Sequence, residues 1–551
     1  MKKISRLGFS GLMLLSLLLS GCSYFPPRAP QAQGEIFSVD QSAFSDASSP
    51  DDTLNSESMA LKFSDPIPAG LESLIQQAVV SRELDPGMKA HVQYAEQQDQ
   101  IIGNWIYVAA TAFPSLVDEI SEEQLQALWS GNPEDNIWTR LYIQEADIPI
   151  LSLKLGEPSM NTVYSIPVEV EVKTAWKEPA SLFILPFERV TPLWKILKFD
   201  DVSIFSRPFK SEIYPLTLSY TFTDGNSKEL AAPQTNFDPN KMTTVLMTGV
   251  TALTRATGAK MDTEGIEFPA SSIRDVLLDA DITHISNEVS FAEDCPLANA
   301  SQTSVMFCSR PEYFDLLTYT DIEIVELSGN HLMDWSVKGF NYSLGLYEAT
   351  GMGVYAGGVN QKAARQPYKI ELNGNKLAFL GCNPAGPPNV WATDTISGVA
   401  DCKEDWMIKE VEELAKEGYL PIVTMQHFET YAMQPNPQQK ADFLKLSARG
   451  AVIVSGSQAH LPQGMTFVGD HFIHYGLGNL FFDQMDIPVV GTRREFLDRH
   501  VIYDGKYIQT ELITAMLEDY ARPRLMTDEE RNLFLSDIFT ASGWLRAEEA
   551  K

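Results

Sequence analysis

The sequence predicts a mixed α/β protein made of more than one folded unit. Three observations carry this expectation. The chain has 551 residues, more than a single hydrophobic core commonly serves. From residue 242 onward six apolar runs, 243–249, 280–288, 322–331, 376–383, 420–427 and 450–460, each pass into a polar loop. Helical patterns at 273–278, 406–416 and 438–448 lie between several of them, and such alternation with polar groups at strand ends means layered α/β. Residues 61–230 mix helical and extended patterns of their own, ahead of a polar, proline-bearing stretch at 236–241 that reads as a domain boundary.

Composition narrows the function classes. With 44% hydrophobic and 21% charged residues, neither a chain disordered throughout nor a polytopic membrane protein is expected. Lys plus Arg number 42 against 73 Asp plus Glu, a net charge of −31. No nucleic-acid partner is expected, because that role needs a cationic surface. An anionic ligand would also be repelled unless a metal or a local basic pocket intervened.

Taken in chain order, the first element is an address. Lys2, Lys3 and Arg6 precede an apolar stretch that ends at Leu19-Ser20-Gly21-Cys22. The run is too short to span a bilayer, and the segment resembles a bacterial lipoprotein signal. That implies a signal peptide over 1–21, a lipid on Cys22, a flexible tether over 22–60 and an extracytoplasmic protein anchored to the cell membrane. In that compartment thiols oxidise. The remaining cysteines, Cys295, Cys308, Cys382 and Cys402, suit two disulfides, with near-neighbour pairing favoured. A zinc site is the alternative, but no C-x-x-C spacing is present.

The next unit, 61–235, begins with an amphipathic helix at 71–81 and a buried strand at 104–110. Ser121-Glu-Glu-Gln124 is a capping box that opens a helix ending at Gly131. The stretches 105–131 (WIYVAATAFPSLVDEISEEQLQALWSG) and 182–216 resemble phosphate-type periplasmic solute-binding domains, which implies an α/β ligand-binding module. A transporter-associated solute-binding lipoprotein is therefore one reading of the chain.

In the third unit the polar loops carry the chemistry. Asn287-Glu288, Asn330-His331-x-x-Asp334, His427-x-Glu429 and His460 each follow an apolar run. Imidazole, carboxylate and amide oxygen are ligands for hydrolytic Zn, Mn or Fe, and a histidine beside the metal can protonate a leaving oxygen. A lone loop histidine is more often structural. His91, His284, His471, His474 and His500 fit no constellation and read as such. Arg255, near the end of the first run, can hold a phosphate or carboxylate. No G-K-[ST] follows 249–258 and no G-x-S-x-G occurs, so a P-loop and a nucleophile elbow are excluded. A strand at 510–519 and a capped helix at 529–539, opened by Thr527-x-x-Glu530, complete the pattern.

The order Thr248-Gly249-Val250, Asn287-Glu288, Gly329 to Asp334, Gln426 to Glu429, Gly456 to His460 and Tyr475 to Asp483 resembles the CapA family of capsule and poly-gamma-glutamate synthesis proteins. The resemblance implies a calcineurin-like metallophosphatase fold over 242–490, completed by 491–551, as a four-layer α/β/β/α sandwich. It implies metal ligation by Glu288, Asn330, His427 and His460 and a general acid at His331; the neighbouring Asp334 joins that acid as a catalytic candidate, and Asn287, Arg255 and Glu429, by their places in these loops, are the candidates for substrate contacts. Two positions depart from the family pattern: Val250 replaces an Asp and Gln458 a His. Valine cannot bind a metal and glutamine is a poorer ligand than imidazole, so the remaining set suits one divalent ion rather than two, or none. The expected partners are the membrane and an anionic surface polymer or its synthesis machinery. The expected role is metal-dependent hydrolysis or transfer on that polymer, with a non-catalytic binding or scaffolding lipoprotein as the alternative.

Overall fold

The computed structural model describes residues 61–80, 91–95, 101–133, 137–223, 233–487 and 489–545. These belong to one compact unit. The signal, Cys22 and the tether lie outside the described residues. Among the described residues no helix is long and apolar enough to cross a membrane.

The first module is a nine-stranded mixed sheet organised on one long strand, Gly103–Ala112, against which Ser181–Pro186, Trp194–Ile196 and Thr217–Phe222 run antiparallel. This strand is buried along almost its whole length, as its unbroken apolar run requires. The capping box of Ser121 and Gln124 is formed, and the helix Glu122–Ser130 stops at Gly131 in the left-handed conformation, φ +86°, which glycine adopts without a Cβ penalty.

The rest of the chain makes two facing sheets. In the first the order is Gly353–Tyr355, Ile324–Glu326, Ile282–Asn287, Met242–Thr251, Arg494–Tyr503, Lys506–Glu518 and Arg522–Leu525, the first four parallel. The second has Asn375–Cys382, Leu420–Gln426, Ile453–Ser457 and His471–His474 in parallel, flanked by Tyr368–Leu372 and Met465–Val468. Period-two alternation sorts each strand's side chains into two cores. Val245, Met247, Phe379, Ile422 and Ile453 meet between the sheets. Leu246, Ile285 and Val325 turn outward onto Met261, Leu277, Phe340 and Tyr347 of one helical layer. Leu380, Val423 and Val454 turn outward onto Val411, Leu414 and Phe443 of the other. The architecture is therefore four layers, α/β/β/α, and each fully buried Leu, Ile or Phe contributes about 2–3 kcal/mol.

Some boundaries differ from the sequence pattern. The 322–331 run is strand only over Ile324–Glu326. Beyond it, Gly329 lies so close to Glu288 that a Cβ would meet its backbone at 2.7 Å, and the chain turns away from the sheet. The last long strand begins before 510, at Lys506, because it forms a hairpin with Arg494–Tyr503. The disulfides are Cys295–Cys308 and Cys382–Cys402.

The two modules pack together. Phe113 and Trp176 of the first reach Phe467, Trp544 and the C-terminal helix Asp528–Ala541. Arg531 of that helix pairs with Asp118 at 2.7 Å.

A Cβ on Gly456 would stand 1.8 Å from the Tyr475 carbonyl oxygen, a backbone atom that cannot step aside. Gly456→Ala is expected to cost about 3 kcal/mol by overpacking. The check is the midpoint of urea unfolding, and a midpoint equal to the parent's would contradict this packing.

Candidate functional site

The parallel strands of both sheets end at one rim, and specific contacts knit their loops together. Val250 bridges Asn479, and Val289 bridges His331. The Glu288 N–H donates to Thr251 O at 2.9 Å. Ser457 Oγ donates to Glu326 Oε1 at 3.1 Å and ties the second sheet to the first. Glu326 is fully buried, and burial raises its carboxyl above the usual range against the hydroxyls that donate to it.

On this rim His331 and Asp334 form a pair, Nδ1 to Oδ2 at 2.7 Å. Asp334 also accepts the Phe307 N–H at 2.9 Å, so its carboxylate is fixed from two sides. Burial alone would lower the imidazole. The Asp334 hydrogen bond, with the charges of Glu288 and Asp334, overcomes burial and the Arg255 charge and raises the His331 pKa. With Nδ1 engaged, Nε2 makes no hydrogen bond among the described residues and is the atom that can present a proton.

Arg255 stands at the start of the helix Arg255–Glu264 with φ +47°, a left-handed conformation that costs an arginine about 1 kcal/mol or more. Its guanidinium pairs with Asp483, and Asp483 also accepts the Ala256 N–H at 3.1 Å. The cation lies over two rings, 5.0 Å from the Phe307 centroid and 5.4 Å from Phe482, within cation–π range. Gln458 is likewise left-handed, φ +74°. Two strained non-glycine residues on one rim mark it as a built feature.

The remaining predicted residues separate into those that join this group and those that do not. Glu288 is 3% exposed, and its carboxylate makes no hydrogen bond among the described residues. His460 is buried, Nδ1 held by Asn479 Oδ1 at 2.8 Å, with its ring 4.8 Å from Phe482. Asn330 accepts from Gln426 Nε2 at 3.0 Å, and the same Gln426 amide pairs with Gln458. His427 turns to the helix Pro437–Ser447, Nε2 to Asp442 Oδ2 at 3.2 Å, and burial lowers its pKa despite that carboxylate. Asn287 spends both amide hydrogens on Val289 O and Tyr347 Oη, which leaves none for a ligand. Glu429 accepts from Tyr431 Oη at 2.5 Å on the exposed side.

The donor set does not make a dinuclear metal cage. Val250 packs with Ala252, Val289, Phe307 and Phe482 in a small apolar cluster, at the position where the resemblance implies a carboxylate. Gln458 is paired with another amide, and His427 is engaged by Asp442. Among the described residues no group of three or more His, Cys, Asp or Glu gathers as a potential ion site.

Sequence reasoning missed Phe307, Phe482, Asp483, Tyr431 and Asp442. Phe307 adjoins Cys308, whose disulfide fixes this loop, and Phe482-Asp483 ends the Tyr475 to Asp483 motif. The motif was visible, but the pairing of Asp483 with Arg255, 228 residues away, was not.

With this geometry in hand, comparison with known proteins is informative. Residues 244–484 match the family model "Bacterial capsule synthesis protein PGA_cap". Among characterised relatives, the capsule biosynthesis protein CapA of Bacillus anthracis is 27% identical over 165 residues, 29% of this chain and 40% of that protein. The PGA biosynthesis protein CapA of Bacillus subtilis is 24% identical over 174 residues, 31% of this chain and 46% of that protein. The chain thus spans less than half the length of the curated relatives it matches. Among solved structures, a 5'-nucleotidase precursor from Thermus thermophilus aligns over 54% of this chain and 59% of its own, with 13% identity and a TM-score of 0.30. A phosphate transport receptor from Vibrio cholerae aligns over 28% of this chain and 72% of its own, with 11% identity and a TM-score of 0.21. Residues 244–484, which carry the ordered strand-end motifs, are thus similar to the bacterial capsule synthesis proteins that this family model describes.

Proposed function

We propose that the chain works outside the cytoplasm, tethered by a lipid on Cys22, in the synthesis or surface handling of an anionic polymer of the poly-γ-glutamate type. Its strand-end cleft holds carboxylates of that polymer. The observation that carries this reading is the Arg255 guanidinium and the His331 imidazole, a cation when protonated, gathered about the ring of Phe307. Asp483 and Asp334 orient them. In a chain of net charge −31, an anion needs such a local receptor to overcome general repulsion. The strain at Arg255 fits a residue held for use rather than for stability.

Binding is expected to depend on pH with a definite sign. The protonated imidazole attracts a carboxylate, so affinity is full below the raised pKa of His331 and falls as pH rises through it. Titration of fluorescein-labelled oligo-γ-glutamate by fluorescence anisotropy tests this. Arg255→Gln is expected to weaken binding about tenfold, and His331→Gln to flatten the pH dependence. Absence of saturable binding by the parent protein would overturn the reading.

A second reading, one divalent ion of Mn, Zn or Fe held by Glu288, Asn330 and His460, is favoured by the buried carboxylate of Glu288, which has no hydrogen-bond partner among the described residues. Such an ion would supply Lewis-acid polarisation of an ester or amide oxygen, and His331 would hold the proton for the leaving atom. Elemental analysis after incubation with Mn or Zn separates the readings. About one ion per chain, lost in Glu288→Gln, supports the second, and no retained ion leaves the first.

The tether has its own test. Cys22→Ser is expected to move the chain from the membrane fraction to the soluble fraction and to abolish incorporation of labelled palmitate.

A further inference from the structure

A second candidate site lies where the two modules meet. A cavity of about 480 Å³ opens between the 113–118 loop and Lys195 on one side and the strand Lys506–Glu518 and helix Asp528–Ala541 on the other. This is within the usual range for small-molecule sites, and it shares no residue with the strand-end cleft.

Its charge balance is far less acidic than that of the chain. Lys195, Lys198, Arg499 and Arg531 face Asp118, Glu511 and Asp528, and Arg499 also pairs with Asp279 outside the lining at 2.9 Å, whereas the whole chain has 42 cations against 73 carboxylates. One carboxylate, Asp118, serves two of the cations, Lys195 and Arg531. Lys195 Nζ also donates to Ser115 O at 2.7 Å. Burial pushes the Lys195 ammonium down to about 8, with Arg531 adding to the effect and Asp118 and Glu511 opposing it.

Polar capacity in the wall is left unused. Arg499 Nε is buried without a partner, and so is Oε1 of Gln509, a residue only 2% exposed. The Gln509 amide nitrogen makes only a 3.5 Å contact, to Thr510 O, so this amide can turn either end to a guest. The Lys198 ammonium has no partner among the described residues. Orphaned buried polar groups are costly unless something satisfies them. The apolar part of the lining includes Phe113, Leu535 and Phe539.

We infer that this cavity is a binding site for a small organic anion, its carboxylate or phosphate head against Lys195, Arg531 and Lys198 and its carbon body against Phe113, Leu535 and Phe539. An anionic head would give Arg531 and Lys195 the second negative partner that Asp118 alone does not supply, and Gln509 would donate to it. Because both modules contribute, a bound anion would also strengthen their junction.

Isothermal titration calorimetry on the full chain tests the inference, with glutarate, phenyl phosphate and inorganic phosphate as probes. One-site saturable binding of glutarate or phenyl phosphate is expected, the tighter of the two naming the head group. Inorganic phosphate should bind more weakly. Near pH 8, binding is expected to take up protons as Lys195 recharges, seen as heat that varies with the buffer's ionisation enthalpy. Arg531→Gln and Lys198→Gln should each weaken binding about tenfold, while Lys416→Gln, on a distant exposed helix, should not. Should Arg531→Gln fail to fold, Lys198→Gln decides, because its side chain holds no other element. The inference is overturned if neither organic anion binds saturably up to about 10 mM, if binding is unchanged in the folded variants, or if inorganic phosphate binds as tightly as both.

Discussion

Two sheets buried on both faces are the constraint from which the rest follows. Side chains of Met242–Thr251, Asn375–Cys382, Leu420–Gln426 and Ile453–Ser457 alternate between an inner core and an outer one, so neither parity along these strands faces water. Polar groups are thereby driven to strand ends, and because the central strands are parallel those ends share one rim. Some of the exceptions are paired. His284 meets Tyr355 Oη at 2.7 Å, and His474 meets Asp498 at 2.5 Å. Burial holds His284 down to about 3 and His500 to about 4. His284 and His500 are therefore neutral core groups.

At the rim, Arg255 and His331 are set against aromatic walls. With Val250 in place, Ala252, Val289, Phe307 and Phe482 close around it, and Arg255 reaches over the same rings. Asp483 and Asp334 pair with Arg255 and His331 and fix their directions. The Glu288 carboxylate has no such partner among the described residues.

The junction of the modules obeys the same physics in reverse. It is mainly aromatic, with Phe113, Trp176, Phe467 and Trp544 in edge and stacked contacts, which supports a fixed arrangement of the two sheets. Beside it lies a part-buried cluster of charges, where Coulombic terms weigh more than at the open surface. One carboxylate, Asp118, is shared there between two cations, Lys195 and Arg531, which distinguishes this cavity from the rest of a strongly acidic protein.

Much of this was legible in the sequence because it is local. Continuous apolar runs that pass into polar loops, the capping boxes at Ser121 and Thr527, and the cysteine spacing each specify structure within about twenty residues, and the layered α/β pattern and the disulfides follow from them. The order of the strand-end motifs likewise pointed to the capsule-synthesis family model that residues 244–484 match, and it offered Glu288, His331, Asp334 and His460 as candidates. What only the tertiary structure decided is which side chains meet. His427 turns to Asp442 and Asn287 to Tyr347, Asp483 comes to Arg255, and Arg531 reaches Asp118 across 413 residues. The physical reason is that a local pattern encodes which face of an element is buried, whereas the partner of a polar side chain depends on how distant elements pack, and that packing has no local signature.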